Sequence, residues 1–145
     1  SMADLTRIQP GQRGTARLIV AAEHTAPRVG SGVIPVLATP VMINLIEAAA
    51  LAACEDMLPP GMQTLGTNLN VSHTAATPVG GLVVAVAEVV AVDGREIGFK
   101  IEVRDDIDEI GSGTHKRVAV TVGKFEARVA KKAATLREKL GGRIG

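Results

Sequence analysis

Aromatic side chains are almost absent from this chain. Phe99 and Phe125 are its only rings besides three histidines, and it has no Trp and no Tyr. Proteins that bind single-stranded nucleic acid stack bases on aromatic side chains, so the composition argues against that class. The net charge is +1, from 16 basic and 15 acidic residues, which supplies no strong field for nucleic acid or an anionic membrane. The core must be built from Val, Ile, Leu and Ala.

Cysteine and long hydrophobic runs are scarce as well. The single cysteine, Cys54, allows no disulfide within the chain, and its place among alanines favours a small core residue over a nucleophile. The longest apolar runs, 48–54 and 82–87, are too short to span a bilayer as helices, and we find no signal peptide. We therefore expect a cytoplasmic protein with one domain over 1–145, in which Ser1-Met2 is left over from an expression tag.

The hydrophobic pattern predicts a strand over 14–23 and then a long helix. Thr39 suits the N-cap of this helix and Pro40 its first position, where the missing N–H costs nothing. The helix should continue to about Leu58, because Pro59-Pro60-Gly61 follows. Since apolar residues surround it on nearly all sides, we expect it to be buried.

Four more strands and a second helix are predicted after the long helix. The strands cover 64–73, 81–92, 95–104 and about 113–125, with a hairpin at Asp93-Gly94. In the first of them one face should be formed by Leu65, Leu69, Val71 and His73. The C-terminal helix is indicated by an apolar stripe of Phe125, Val129, Ala133, Leu136 and Leu140. A curved antiparallel sheet wrapped around the long helix satisfies this order, which makes the fold class α+β.

Three residues are candidates for chemistry. Glu47 lies among apolar helical neighbours, where a carboxylate is costly unless it is paired; it can reach solvent, join a structural network or act as a functional carboxylate. His73 points toward the helix layer, either as a hydrogen-bonded core histidine or as a partner of Glu47 that moves protons. Thr39 caps the helix, and the free N–H groups beside it could also polarise a carbonyl.

The spacing of these candidates does not suit a compact site in one chain. Thr39 and Glu47 are eight residues apart, about 12 Å along a straight helix. Either water fills the gap or a second copy of the chain supplies part of the site, and we favour the second copy.

The other polar signals are weaker. The three histidines lack zinc spacing, and His115 is interpreted as lying on an exposed strand face. No nucleophile elbow, P-loop or dinucleotide motif is present. The basic residues from Lys124 to Arg143 fit a solvated helix face, with the alternative that a few of them meet phosphates of a nucleotide-like ligand.

Three stretches together resemble one known family. LATPVMINLIEAAA, LGTNLNVSHTAATPVG and DEIGSGTHKRVAV are similar to sequences of the fluoroacetyl-CoA thioesterase-like family of hotdog-fold acyl-CoA thioesterases, and the resemblance runs from about Gly14 to Lys131. It implies a hotdog fold, a homodimer that could pair into a dimer of dimers, and active sites at the subunit interface. The implied reaction is hydrolysis of a short acyl-CoA to free acid and CoA, without a metal or another cofactor and without nucleic acid or membrane as partners.

The resemblance also implies roles for individual residues. Thr39, Glu47 and His73 carry over as catalytic, and the nucleophile is left open between Glu47, Thr39 and water. Gly66 and Arg117 carry over as pocket residues near the acyl group, and we predict that Val33 and Val36, in the loop before Thr39, also bind substrate. The loop VIPVL (33–37) lacks the phenylalanines of relatives that select fluoroacetate, so we expect the family's reaction but not that substrate. The alternatives are a non-catalytic acyl-CoA-binding or sensing module, a hydratase and a structural dimer of the same fold.

Overall fold

The structure is a computed structural model that describes residues 5–141. Ser1-Met2, interpreted above as a tag remnant, and Arg143 of the predicted basic face lie outside the described residues. Strands occupy Arg13–Ile19 (β1), Met62–His73 (β2), Leu82–Asp93 (β3), Glu96–Arg104 (β4) and Glu109–Thr121 (β5). Helices occupy Ala26–Val29 (α1), Thr39–Cys54 (α2) and Val122–Lys139 (α3), and 3-10 turns lie at Ala22–His24 and Glu55–Met57.

The five strands form one antiparallel sheet in the order β1-β3-β4-β5-β2. β1, predicted as the first strand over 14–23, pairs with β3, and β2 forms the opposite edge beside β5. The predicted hairpin joins β3 to β4, and its tight turn is made by Gly94 and Arg95, with Gly94 at a φ of 60° that favours glycine. β5 begins four residues earlier than its pattern indicated.

The sheet curls around α2, as the element order predicted. The residues that α2 buries repeat at helical spacing: Met42, Leu45, Ile46, Ala49, Ala50, Ala53 and Cys54. Its closest approach is to β1, because a β-carbon on Gly14 would overlap the backbone of Ala49 and Ala53. Burial is one-sided in the single chain, since Asn44, Ala48 and Ala52 face solvent. α2 ends at Cys54, where the 3-10 turn takes over before the prolines.

A β-bulge in β2 changes which residues share a face. The pairing with β5 shifts between Gly66 and Asn68, so one residue of β2 has no partner there. Leu65 lies opposite Val118, whereas Leu69 lies opposite His115, which faces the interior. The prediction of a common face was therefore wrong for Leu65, because the extra residue inverts the alternation on one side of the bulge. It holds from Leu69 to His73.

Candidate active site

Thr39 and His73 meet at the start of α2. The Thr39 Oγ1 atom lies 2.8 Å from Nδ1 of His73, which ends β2. Thr39 is the first residue of α2, and the N-cap position belongs to Ala38, with no side-chain capping hydrogen bond. The predicted capping role of Thr39 was wrong: its hydroxyl contacts an imidazole on the sheet instead of a backbone N–H of its own helix.

Backbone hydrogen bonds hold both partners of this pair in place. The Leu37 N–H donates to the Thr77 carbonyl and the Ala38 N–H to the His24 carbonyl, both at 2.9 Å, immediately before Thr39. On the sheet, His73 lies opposite Gly111 on the face that meets α2. A β-carbon on Gly111 would lie 3.0 Å from the sulfur of Met42, so this glycine lets strand and helix approach closely.

The environment of His73 keeps its imidazole neutral. Burial lowers the pKa of His73 from its ordinary value of 6.5, because a charged ring loses hydration there. A neutral imidazole can accept the hydroxyl proton of Thr39 at Nδ1. Its other nitrogen, Nε2, is buried without a hydrogen-bond partner among the described residues. An unpaired buried nitrogen is costly, because it loses its hydrogen bonds to water and gains none in exchange.

A cavity of about 400 Å³ opens in front of this pair. Thr39 and His73 line it together with the loop before α2 and the segment after β2. Val33 and Val36, both predicted to contact substrate, are among the lining residues. Val33 is 90% exposed, so the aliphatic side of the cavity is open to solvent. The volume lies within the range usual for small-molecule sites.

Glu47 belongs to a second cluster, centred on Arg117. The guanidinium Nη1 of Arg117 donates to Oε2 of Glu47 at 3.0 Å. The same guanidinium is fixed by Thr64, since Nε donates to Oγ1 at 2.8 Å and Nη2 to the carbonyl at 3.1 Å. The Arg117 side chain is 5% exposed and that of Glu47 37%, so a buried cation holds a carboxylate at the edge of the protein. Of the interpretations left open for Glu47, pairing in a network is what the contacts show.

Gly66 leaves the space that Glu47 occupies. A β-carbon at this position would lie 2.6 Å from Oε2 of Glu47 and 3.4 Å from Nη1 of Arg117. A larger residue at position 66 would displace the Glu47 carboxylate from its present position. Gly66 and Arg117 lie opposite each other in the β2–β5 register, which explains why they meet the same carboxylate.

His115 completes the second cluster, and the expectation of an exposed strand face for it was wrong. The ring is fully buried and stacks on Phe99, with centroids 5.9 Å apart. Its Nδ1 lies 2.8 Å from the Asn68 carbonyl, and burial is the main cause that lowers its pKa. The sequence does contain a signal for the position of His115. His115 and Arg117 are two residues apart in a strand, so their side chains lie on the same face, which is the inner face of β5.

The candidates thus form two groups within one chain. Thr39 and His73 meet at the cavity with Val33 and Val36, whereas Glu47, Gly66 and Arg117 meet elsewhere on α2 and the sheet. The predicted approach of His73 to Glu47 is not among the hydrogen bonds of the described residues. The interpretation of Cys54 as a core residue is confirmed, because it is buried and burial raises the pKa of its thiol to about 11.

Two kinds of feature are absent from residues 5–141. In this range no group of three or more His, Cys, Asp or Glu side chains is arranged to hold a metal ion. No helix of the same range is both long and apolar enough to cross a membrane.

Comparison with known proteins identifies the family. The model of the family described as "FlK: Fluoroacetyl-CoA-specific thioesterase" matches residues 20–123, a range that contains both groups of candidates. The chain belongs to this family. A relative within it, the fluoroacetyl-CoA thioesterase of Streptantibioticus cattleyicolor, is 44% identical over 97 residues, which are 67% of this chain and 70% of the relative.

Solved structures agree with the family and the hotdog fold. One structure of the fluoroacetyl-CoA thioesterase FlK is 37% identical, with a TM-score of 0.81 over 86% of this chain and 96% of that chain. A mutant of FlK in complex with acetyl-CoA is also 37% identical, with a TM-score of 0.80 over 86% and 98% of the two chains. A Thermus thermophilus protein of the thioesterase superfamily, 24% identical, shares the fold with a TM-score of 0.85 over 90% and 97%.

Proposed function

We propose that this member of the FlK family hydrolyses a short acyl-CoA thioester to the free acid and CoA. The observation that carries the proposal is the 2.8 Å contact between the Thr39 hydroxyl and the His73 imidazole on the wall of a cavity of about 400 Å³. A hydroxyl hydrogen-bonded to a neutral imidazole is a nucleophile with its general base. Family membership supports the same reaction.

In the proposed reaction Thr39 is the nucleophile. Its oxygen attacks the thioester carbonyl carbon while its proton passes to Nδ1 of His73. The tetrahedral intermediate then collapses: the C–S bond breaks, the proton moves from His73 to the leaving sulfur, and free CoA departs from an acyl-threonine ester. Water, deprotonated by the same imidazole, hydrolyses the ester, and Thr39 regains its proton. Attack by Glu47, left open by the sequence, would require a closer approach to the cavity than Glu47 has in one chain. Direct attack by water activated at His73 is the alternative to Thr39 as the nucleophile.

The start of α2 supplies a hydrogen-bond donor for the oxyanion. The N–H groups of Val41 and Met42 both donate to the Ala38 carbonyl, and Pro40 has no N–H. The Thr39 N–H has no hydrogen-bond partner among the described residues and lies at the positive end of the helix dipole. It is the group that we assign to the negative oxygen of the tetrahedral intermediate.

A second copy of the chain completes the site in this proposal. β2 is an edge strand of twelve residues, and its exposed residues include Leu65 and Leu69, so an antiparallel homodimer can form along this edge. Such a dimer brings the partly exposed Glu47 of one protomer toward His73 of the other.

The cavity suits an aliphatic acyl group. Val33 and Val36 line it, and the loop 33–37 contains no aromatic residue. We therefore propose that Val33, Val36 and the Gly66–Arg117 cluster contribute to substrate binding, and that fluoroacetyl-CoA is not the preferred substrate. CoA is part of the substrate, and the scheme uses no other cofactor. The cytoplasmic location stays a prediction.

The test is thiol release from a panel of acyl-CoAs: acetyl, fluoroacetyl, propionyl and an aromatic acyl. The expected result is hydrolysis of a small aliphatic member that is lost in His73→Ala. If no thiol is released while CoA ligands still raise the melting temperature, the protein is a binding module. If the product keeps its CoA, the chain is a hydratase, and either result would overturn the proposal.

A further inference from the structure

Thr77 is the one buried residue of the segment 74–81, which links β2 to β3. The three residues before it, 74–76, line the cavity beside His73. The methyl group of Thr77 packs so close to Gly81 that a β-carbon on this glycine would lie 2.5 Å from it. Thr77 is 1% exposed, and a buried hydroxyl is costly unless it is hydrogen-bonded. The side chain therefore needs a partner, which the turn between β4 and β5 supplies.

The partner of the Thr77 hydroxyl is Asp105, the first residue of that turn. Thr77 Oγ1 donates to Oδ2 of Asp105 at 2.8 Å. The other carboxylate oxygen, Oδ1, accepts the backbone N–H groups of Ile107 and Asp108, both at 2.8 Å. These two N–H groups are the main cause that lowers the pKa of Asp105, and hydrogen bonds to a charged carboxylate are the stronger ones. Asp105 is thus held by its own turn and offers Thr77 a fixed acceptor.

The backbone of Thr77 pairs with the segment that precedes α2. The Thr77 carbonyl accepts the Leu37 N–H at 2.9 Å, two residues before Thr39. Val36 and Pro78 form an isolated antiparallel bridge beside this hydrogen bond. Because the pairing is short, a displacement of Thr77 also displaces the residues that lead into Thr39.

The stretch of chain that ends at Thr77 begins at His73. The residue after His73 is held by β5, because the Thr74 N–H donates to the Ile110 carbonyl at 2.7 Å. One end of the stretch therefore carries the imidazole, and the other end holds, through Leu37, the start of α2 with the Thr39 hydroxyl. The distance of 2.8 Å between Thr39 Oγ1 and His73 Nδ1 depends on both ends.

We propose that Asp105 is a positioning residue, which acts through the Thr77 hydroxyl on the alignment of Thr39 with His73. This inference rests on the proposed function, since it concerns the nucleophile and the base of that reaction. Neither Asp105 nor Thr77 lines the cavity, so the effect is on geometry and not on contacts with the acyl group. The alignment matters in the transition state, whereas acyl-CoA can bind without it. The role of Asp105 should therefore appear in kcat and not in KM.

Two substitutions of Thr77 separate its hydroxyl from its methyl group. Thr77→Val keeps the shape and removes the hydrogen bond to Asp105, whereas Thr77→Ser keeps the hydrogen bond and removes the methyl group. In thiol release from acyl-CoA, Thr77→Val should lower kcat by about 10- to 100-fold and change KM by less than about twofold, because a small misplacement of the reacting groups has effects of this size. Thr77→Ser should keep most of the wild-type kcat. Equal kcat values for the two variants, or a change confined to KM, would overturn the proposal.

Asp105 and Asp106 form a matched pair for testing the carboxylate. Asp105→Asn keeps an oxygen for the two N–H groups of the turn but presents an amide N–H where the Thr77 hydroxyl needs an acceptor, so kcat should fall. Asp106→Asn removes the same charge from the next residue, which accepts a 3.4 Å contact from the Leu82 N–H, and should leave kcat unchanged. The double variant Thr77→Val with Asp105→Asn should be no slower than the slower single variant. Multiplied losses, or an equal loss in Asp106→Asn, would contradict an action of Asp105 through Thr77.

Amide hydrogen exchange tests the same contacts without any enzymatic activity. In Thr77→Val the Leu37 amide should exchange at least about tenfold faster than in the wild type, and in Thr77→Ser at the wild-type rate. The Val89 amide, which donates to the Gln12 carbonyl at 2.8 Å, is the reference for a general loss of stability. The expected exchange without thiol release from any acyl-CoA would overturn the proposed function and still support the link from Asp105 to Leu37. Unchanged exchange at Leu37 in Thr77→Val, or an equal increase at Val89, would refute the link itself.

Discussion

The Thr39 hydroxyl lies 2.8 Å from the His73 Nδ1 atom, although the two residues are 34 positions apart in the chain. The contact joins the first residue of the central helix to the last residue of an edge strand, at the wall of a cavity. Because the Thr39 hydroxyl contacts His73, it does not cap the helix, and it is the candidate nucleophile. The geometry and the family membership therefore support the same thioester chemistry.

The first prediction concerns the hydroxyl of Thr39. Thr39→Ala should lower kcat for acyl-CoA hydrolysis by about 10²–10⁴-fold, because no proton can pass to His73, while Thr39→Ser should retain a large part of the rate. Thiol release measures both. Thr135→Ala is the control, since its hydroxyl only contacts the Lys131 carbonyl on α3. Equal activity of the Ala and Ser variants would contradict a nucleophilic role.

The second prediction concerns the pH dependence of the reaction. Burial lowers the pKa of His73 from 6.5, and only the neutral ring accepts the Thr39 proton. The value of kcat/KM should therefore be constant above pH 6.5 and fall as the pH drops through a midpoint below 6.5, where His73 becomes protonated. His24→Asn, on a residue outside the cavity, should leave this midpoint in place. A kcat/KM that does not fall at all as the pH is lowered would exclude His73 as the base.

The third prediction concerns the space beside Glu47. Gly66→Ala places a methyl group 2.6 Å from Oε2 of Glu47, so the ion pair with Arg117 must separate or β2 must move. We expect a loss of about 1 kcal/mol or less in the free energy of unfolding, because the partly exposed Glu47 carboxylate can move toward solvent, together with at least tenfold lower activity. Gly98→Ala on β4 is the matched control, because its new methyl group would meet no atom closer than 3.9 Å. Similar losses in the two variants would show that strand glycine alone, not the ion pair, is responsible.

The fourth prediction concerns the division of the site between protomers. Thr39→Ala and Glu47→Gln should each be nearly inactive, and a mixture that exchanges subunits should recover about a quarter of the wild-type rate, since half of the random dimers contain one intact site. Mixing Thr39→Ala with His73→Ala should recover nothing, because these two residues act from the same chain. No recovery in the first mixture would place Glu47 in the same site as its own Thr39, or outside the site.

Several features could be predicted because they depend on local pattern. The element order, the hairpin, the buried Cys54 and the inward direction of His73 followed from alternation, helical spacing and turn residues. His115 was misjudged because a single polar residue on a strand does not show which neighbours cover it. Leu65 was assigned to the wrong face because a bulge has no reliable signature in a single sequence, yet it inverts every side chain beyond it.

The amino-acid sequence by itself determined the fold class, the central helix and the identity of the candidate residues, because hydrophobic period and turn chemistry act over a few neighbouring residues. Only the tertiary structure decided how those candidates group. Thr39 contacts His73 and Glu47 contacts Arg117. The positions of Thr39 and Glu47 along α2 do not show that the two side chains would meet different residues of the sheet. The reason is that these contacts are made between helix and sheet, where register, bulge and strand order set distances that no local pattern records.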